Sequence, residues 1–204
     1  MNIGVLEDSQ MSKITHPRIG LIAEDDSDVD AAIVLIKRIT GNNRVGMKKF
    51  VGKGCGRIKR KCRRWTKDLK QKGCQYLILL HDLDNNNLEQ LRSSIEDAIS
   101  PSPIQPYLIC VPIEEMEAWW LADTSAIKKA LNLKKFKKIK GDPEQLKSPK
   151  EMICDLVRQF SNKEKKYLNT VHNKSIAEHL NLTEAKKKCA SFNEFFVFVS
   201  ENIK

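Results

Sequence analysis

The strongest constraint on this chain is a repeated arrangement. Short apolar runs of strand length end in acidic residues or proline, and each leads into a segment whose apolar residues recur at helical spacing. Residues 19–23 run into Glu24, Asp25, Asp26, Ser27 and Asp28, and residues 75–80 run into His81, Asp82, Leu83 and Asp84. Residues 107–111 lie between Pro106 and Pro112, and 44–51 form a further strand candidate. Between them, Val29, Ile33 and Ile36 mark a helix with Ser27 as expected N-cap; Ile58, Cys62, Trp65 and Leu69 mark a second, and Leu88, Leu91, Ile95 and Ile99 a third. Strands alternating with amphipathic helices pair in parallel through right-handed crossovers, with helices covering the sheet. The pattern predicts an α/β core over residues 17–123, preceded by an irregular tail over 1–16.

After Asp123 only helical spacing remains, which predicts a C-terminal all-helical lobe over 124–204. Ser148 and Pro149 open one helix, with Ile153, Leu156, Val157 and Phe160 inward. Ser191 and Glu194 have the spacing of a capping box for another, carrying Phe192, Phe195, Phe196 and Val199.

The 204 residues are enough for an autonomous core, and no apolar run approaches the ~20 residues of a membrane span. Six cysteines without a C-x-x-C pair, and no signal-peptide pattern, point to buried thiols in a reducing, cytoplasmic setting. The net charge of +10 favours anionic partners and disfavours an acidic interaction protein. Residues 53–72 hold ten Lys or Arg against one acid, Asp68. With Trp65 facing inward, Arg57, Arg60, Lys61, Arg64 and Lys67 are left for solvent, where they suit a nucleic-acid backbone or an ordinary solvated face. Lys134, Lys135, Lys137, Lys138 and Lys140 form a second cluster. Trp119 and Trp120, at helical spacing with Met116, suit an internal interface better than base stacking.

Three acidic groups follow strand candidates: Glu24 with Asp28, Asp82 with Asp84, and Glu114 with Glu117. Carboxyl ends of parallel strands share one edge, where ligands bind. Glu114 and Glu117 at i,i+3 would share a helical face, and an extended backbone would turn Asp82 and Asp84 to the same side. Two carboxylates ~4 Å apart repel by about 4 kcal/mol at an effective dielectric of 20, so convergence calls for a cation. Oxygen ligands without His or Cys partners suit Mg²⁺ or Mn²⁺ rather than zinc. No P-loop, Rossmann glycine pattern or G-x-S-x-G is present.

The texts I-G-L-I-A-E-D-D-S-D and L-I-L-L-H-D-L-D-N, a Glu directly after the first strand and D-x-D after a later one, resemble the Toprim fold of primases, type II topoisomerases and OLD-type nucleases. The segment I-E-E-M-E-A-W-W-L-A-D, with D-P-E at Asp142 and S-P-K-E at Ser148, looks like a group of small Toprim-like proteins that accompany ATPases in restriction or phage-defence neighbourhoods. The resemblance covers residues 17 to about 160; it departs at Asp25, where many Toprim sequences carry Gly.

It implies a Toprim-like parallel-sheet core, a catalytic Glu24 acting as base or bridging ligand, and Asp82 and Asp84 as catalytic metal ligands. Beside what the resemblance implies, the strand-end grouping itself adds Asp28, Glu114 and Glu117 as metal-site candidates, and Lys150 is a candidate for supporting charge on a scissile phosphate. The implied activity is a Mg²⁺-dependent nuclease with an ATPase partner. Two alternatives stand beside it. One is a non-catalytic Toprim-like subunit that docks on an ATPase and holds nucleic acid. The other is a receiver-like phosphoacceptor domain, since L-I-A-E-D-D also resembles response regulators with Asp82 or Asp84 as acceptor. A receiver would need a Ser or Thr after residue 111 and a Lys-Pro after a fifth strand, and neither is present.

Overall fold

The computed structural model describes residues 17–53 and 55–203, with Cys55 described by its backbone only. The tail expected over 1–16, and the side chain of Cys55, lie outside the described residues. Four strands form one all-parallel sheet: β1 (Arg18–Ala23), β2 (Gly46–Val51), β3 (Tyr76–Leu80) and β4 (Tyr107–Cys110), in the order β2-β1-β3-β4. The strand order reverses between β1 and β3, which makes their carboxyl ends the topological switch point.

Helix α1 (Asp26–Thr40) covers one sheet face, while α2 (Cys55–Gln71) and α3 (Leu88–Ile99) cover the other. The strands alternate accordingly: Ile19, Leu21, Ala23, Ile78, Leu80 and Cys110 face α1, and Ile22, Leu77 and Leu79 face α2 and α3. Each fully buried Ile or Leu here contributes about 1.5–3 kcal/mol by leaving water. On α2 the inward stripe is Ile58, Cys62, Trp65 and Leu69, as the periodicity predicts. Its Leu69 reaches so close to β1 that a Cβ on Gly20 would stand 2.8 Å from Leu69 Cδ1, so glycine sets the helix-to-sheet distance.

The remaining helices are α4 (Glu117–Ala122), α5 (Thr124–Ala130), α6 (Pro149–Phe160), α7 (Asn169–His179), α8 (Leu182–Lys188) and α9 (Ala190–Asn202), with a 3₁₀ turn at Pro143–Gln145. They pack directly on the α1 face. Trp119, Trp120, Phe192 and Phe195 belong to the same buried cluster as Ile19 and Leu21, and α7 lies along α1. The molecule is thus an α/β fold whose C-terminal helical region thickens one layer of the sandwich. Among the described residues, no helix is long and apolar enough to cross a membrane. Five described cysteines are free, and four of them are buried.

Two helix starts differ from the expectation. The N-cap of α1 is Asp25, in extended backbone and without a side-chain capping bond. Ser27 lies inside the helix, buried, where its Oγ accepts from Asn169 Nδ2 of α7 at 3.3 Å. The N-cap of α9 is Cys189, so Ser191 and Glu194 form no capping box. A carboxylate remote in sequence, Glu144, supplies the acceptors instead, and Glu194 pairs with Arg92 of α3.

Candidate functional site

Backbone pairing continues past the strand ends and fixes the rim of the sheet. Gly52 and Lys53 N–H donate to the carbonyls of Ala23 and Glu24 at 2.8 Å each; Leu83 N–H donates to Pro112 and Asp84 N–H to Glu114, both at 3.0 Å. The residues after β2 are therefore laced to those after β1, and the residues after β3 to those after β4. Glu24 and Asp82 stand at the switch point, Asp28 enters from the first turn of α1, and Glu117 from the first turn of α4.

These carboxylates feel one another. Asp28 is pushed up to about 7, first by burial and then by the negative charges of Glu117, Asp25 and Glu24. Asp82 is held well above the usual carboxylate range by burial, then by Asp28, Glu117, Glu24 and Asp84. Asp84, exposed at the rim, is raised by partial desolvation and by Glu24. Burial also raises Glu117, which is 3 % exposed, although a hydrogen bond from Tyr167 works in the opposite direction. Each oxygen pair is only partly occupied by donors. Asp82 Oδ1 accepts from Met116 N–H at 3.1 Å, and Glu117 Oε1 from Tyr167 Oη at 2.8 Å.

Around this cluster lie three supporting groups. His81 is buried, with Nδ1 2.8 Å from Glu24 Oε1 and 2.8 Å from the Asp82 carbonyl oxygen. The carbonyl is the better aligned acceptor, which leaves Glu24 Oε1 buried without a full hydrogen bond; His81 Nε2 is likewise unpartnered. Burial works against the imidazolium, but the contacts with Glu24 and the Asp82 carbonyl outweigh it and raise the His81 pKa. Behind Glu117, Tyr167 Oη also lies against Asn173 Oδ1, which accepts from Trp120 Nε1 at 3.1 Å. Lys150, at the start of α6, lowers the Glu117 pKa through its charge.

The structure thus brings Glu24, Asp28, Asp82, Asp84 and Glu117 together, with Lys150 beside them. It does not place Glu114 as expected. Helix α4 begins only at Glu117, and Glu114 precedes it with φ +59°, so the two never share a helical face. Its neighbour Glu115 is the one whose charge reaches Asp84 and Glu117. Asp84 likewise has φ +48° rather than extended backbone, a conformation that its short polar side chain tolerates. It joins the cluster from a turn rather than from a strand continuation.

Several acids in the same sequence motifs do something else. Glu115 Oε2 accepts the Lys150 N–H at 2.9 Å and caps α6. Glu144 Oε2 accepts Ala190 N–H at 2.7 Å, and its Oε1 accepts Ser191 N–H at 3.1 Å and the Ser191 hydroxyl, capping α9. Ser191 Oγ in turn accepts from Trp119 Nε1 at 2.8 Å. Asp123 caps α5 through Ser125 N–H at 3.1 Å and reaches Asn181 N–H at 2.9 Å, just before α8. Sequence reasoning missed these roles because, apart from Asp123 with Ser125, each pairs residues far apart in the chain, with no periodicity to connect them.

The acids offer only carboxylate oxygen, the donor type that a hard cation such as Mg²⁺ or Mn²⁺ would take, and their mutual repulsion and the orphaned Glu24 Oε1 are what a cation there would relieve. Among the described residues, no group of three or more His, Cys, Asp or Glu side chains is placed so that it could hold a metal ion. On α2, Arg57, Arg60, Lys61, Arg64 and Lys67 are all exposed. Lys59, on the same helix, acts electrostatically on His81, so the first turns of this helix border the acidic rim.

The model of a family described as a domain of unknown function, DUF4276, matches residues 23–199. No curated protein and no solved structure matches the chain significantly.

Proposed function

This chain belongs to the DUF4276 family, and we propose that it is a Mg²⁺-dependent phosphodiester hydrolase, a nuclease of Toprim type. The observation that carries the proposal is the group of mutually repelling, under-bonded carboxylates at the switch point of a parallel sheet. Burying such groups together without partners costs stability, and proteins tolerate that at functional sites. Asp82, Asp84 and Asp28 would hold the cation, with Glu24 and Glu117 beside it. When bound, Mg²⁺ or Mn²⁺ polarises a scissile phosphate and lowers the pKa of an attacking water. Glu24, whose carboxylate lies 2.8 Å from His81 Nδ1, would take the water proton. Lys150 offsets negative charge on the phosphate, and the exposed cations of α2 attract the polyanion.

The Toprim resemblance adds an ATPase partner and a role as phage-defence effector to this proposal, and the free thiols favour the cytoplasm. A second function has one observation in its favour. The acids are not closed on a single ion, which suits a docking subunit that holds nucleic acid without cutting it.

Glu24→Gln separates the two. The variant keeps the shape of Glu24 and loses its charge. In Mn²⁺, cleavage of plasmid, single-stranded DNA and RNA is expected to fall ~10²-fold or more while nucleic-acid binding and folding persist. Cleavage that is absent from the wild type, with and without any ATPase encoded beside it, or equal in both proteins, leaves the docking subunit as the function.

A further inference from the structure

Beside Tyr167 lies a cleft of about 430 Å³, lined by Cys154, Asp155, Arg158, Lys163, Lys165 and Lys166 together with Tyr167 and Leu168. Four cations face one acid there. A second hollow adjoins it, sharing Asp155, Arg158 and Lys163. Among the described residues, Arg158, Lys163 and Lys166 make no ion pair within 4.0 Å. Lys165 differs, since its Nζ donates to the carbonyls of Leu131 and Asn132 at 2.6 and 2.8 Å and holds the cleft wall. Left-handed backbone at Asn162 and Lys163 folds the chain back at the end of α6, and Lys163 N–H bonds the Arg158 carbonyl at 2.8 Å. That turn sets Lys163 next to Arg158.

The cleft is connected to the acidic cluster by α6 itself. Lys150, Cys154 and Arg158 recur at i, i+4 and i+8, so they form one stripe along the helix. Lys150 lies at the Glu115 and Glu117 end, Cys154 feels the charges of Lys150, Asp155, Glu117 and Glu115, and Arg158 opens into the cleft. Eight residues of helix rise about 12 Å, roughly two phosphates of a single strand, whose neighbouring phosphates lie about 6–7 Å apart.

We infer that the Arg158–Lys163–Lys166 cleft is a phosphate-binding subsite for a nucleic-acid strand, anchoring the strand about two nucleotides from the acidic site along the Lys150–Cys154–Arg158 stripe. The direction of the strand rests on the nuclease proposal; the binding does not. The exposed Leu168, at 53 %, gives the rim an apolar edge against which a sugar or base can lie.

The test is fluorescence anisotropy with a labelled 12-nucleotide single strand, in EDTA so that nothing is cut, using the full chain across a salt series. Arg158→Glu with Lys163→Glu is expected to weaken binding at least 10-fold and to reduce the slope of log K against log salt by about one to two. The same charge change at the exposed Lys128 and Lys129 is the control, and is expected to weaken binding less than 3-fold. An equal loss in both double variants, or no loss in the cleft variant, overturns the subsite. Binding of 5′-AMP to the wild-type cleft without dependence of the strand on Arg158 and Lys163 also overturns it, in favour of a free nucleotide. Cleavage measured in Mn²⁺ keeps the two proposals apart. Strand binding that needs the cleft in a protein that never cuts removes the hydrolase and keeps the subsite. Cleavage that needs Glu24 but ignores the cleft removes the subsite alone.

Discussion

Glu144 and the acids of the strand-end cluster are carboxylates of one molecule in similarly secluded places, yet they are treated oppositely. Burial raises the pKa of Glu144, and three donors at the start of α9 counter it, so both of its oxygens are occupied. At the cluster, Asp82 receives one backbone donor, Glu117 receives one hydroxyl, and the charges of Asp28, Glu24 and Glu117 add to desolvation instead of offsetting it. A buried acid whose lone pairs meet backbone donors belongs to the architecture. One whose lone pairs meet other acids is held ready for something else, and the difference lies in the bonding rather than in burial or charge.

Removing charge should therefore act in opposite directions in the two regions. The largest effect is expected from Asp82→Asn, with cleavage in Mn²⁺ falling ~10²-fold or more while the Tm in EDTA at pH 8 rises, because a repelling charge is gone. A drop in Tm with unchanged cleavage would make Asp82 an architectural acid like Glu144. Next comes Glu144→Ala, which strips two backbone caps and the Ser191 hydroxyl from their acceptor. A loss of about 2–3 kcal/mol, read as a Tm about 5–10 °C lower, is expected with cleavage retained. Lost cleavage in a protein still folded at assay temperature would erase the distinction.

The pH dependence gives a smaller, graded effect. Asp28, at about 7 in the fold against 3.8 in the unfolded chain, and Asp82, also raised, keep protons that the unfolded chain has released. The folded state binds more protons in that window, so stability falls as pH rises from about 4 through 7. The raised His81 pKa acts in the same sense, its contribution being present below 6.5 and lost as pH rises through the folded value. Thermal melts in EDTA are expected to show a Tm that declines between pH 5 and 8, and Mg²⁺ is expected to flatten the decline at the upper end. A flat profile without Mg²⁺ would mean that the acids do not interact. Smallest of all is the stability change in the triple reversal of Arg57, Arg60 and Arg64 to Glu, expected within ~0.5 kcal/mol because these side chains face water. Its nucleic-acid affinity should nonetheless drop and lose salt dependence; unchanged affinity makes α2 a solvated face only.

What could be read in the sequence was whatever repeats over short distances. The Ile58–Leu69 stripe of α2 and the alternating faces of β1 and β3 are periodic, so the sheet and its flanking helices were legible. So were the acids at the strand ends, because a parallel sheet brings carboxyl ends to one edge. The start of α9 was not legible, since its capping acid lies some 46 residues away from Ala190 in a 3₁₀ turn. Glu114 was misplaced because i,i+3 spacing says nothing about where a helix begins. The neighbouring Glu115, which caps α6, and Asp123, in its bond to Asn181 before α8, act across gaps that no local pattern encodes.

The continuous cluster that joins Ile19 and Leu21 to Phe192 and Phe195 has a consequence for how the molecule comes into being. During synthesis, the face of the sheet that α1 leaves open stays exposed to water until α7 and α9 emerge, so the nascent chain carries a sticky apolar surface for most of its elongation. Contacts of such long sequence separation form slowly, and partly covered intermediates of this kind aggregate or engage chaperones. A polypeptide stopped after β4 would expose Leu21, Ile78 and Cys110 to water, which makes production of the sheet alone a route to insoluble protein.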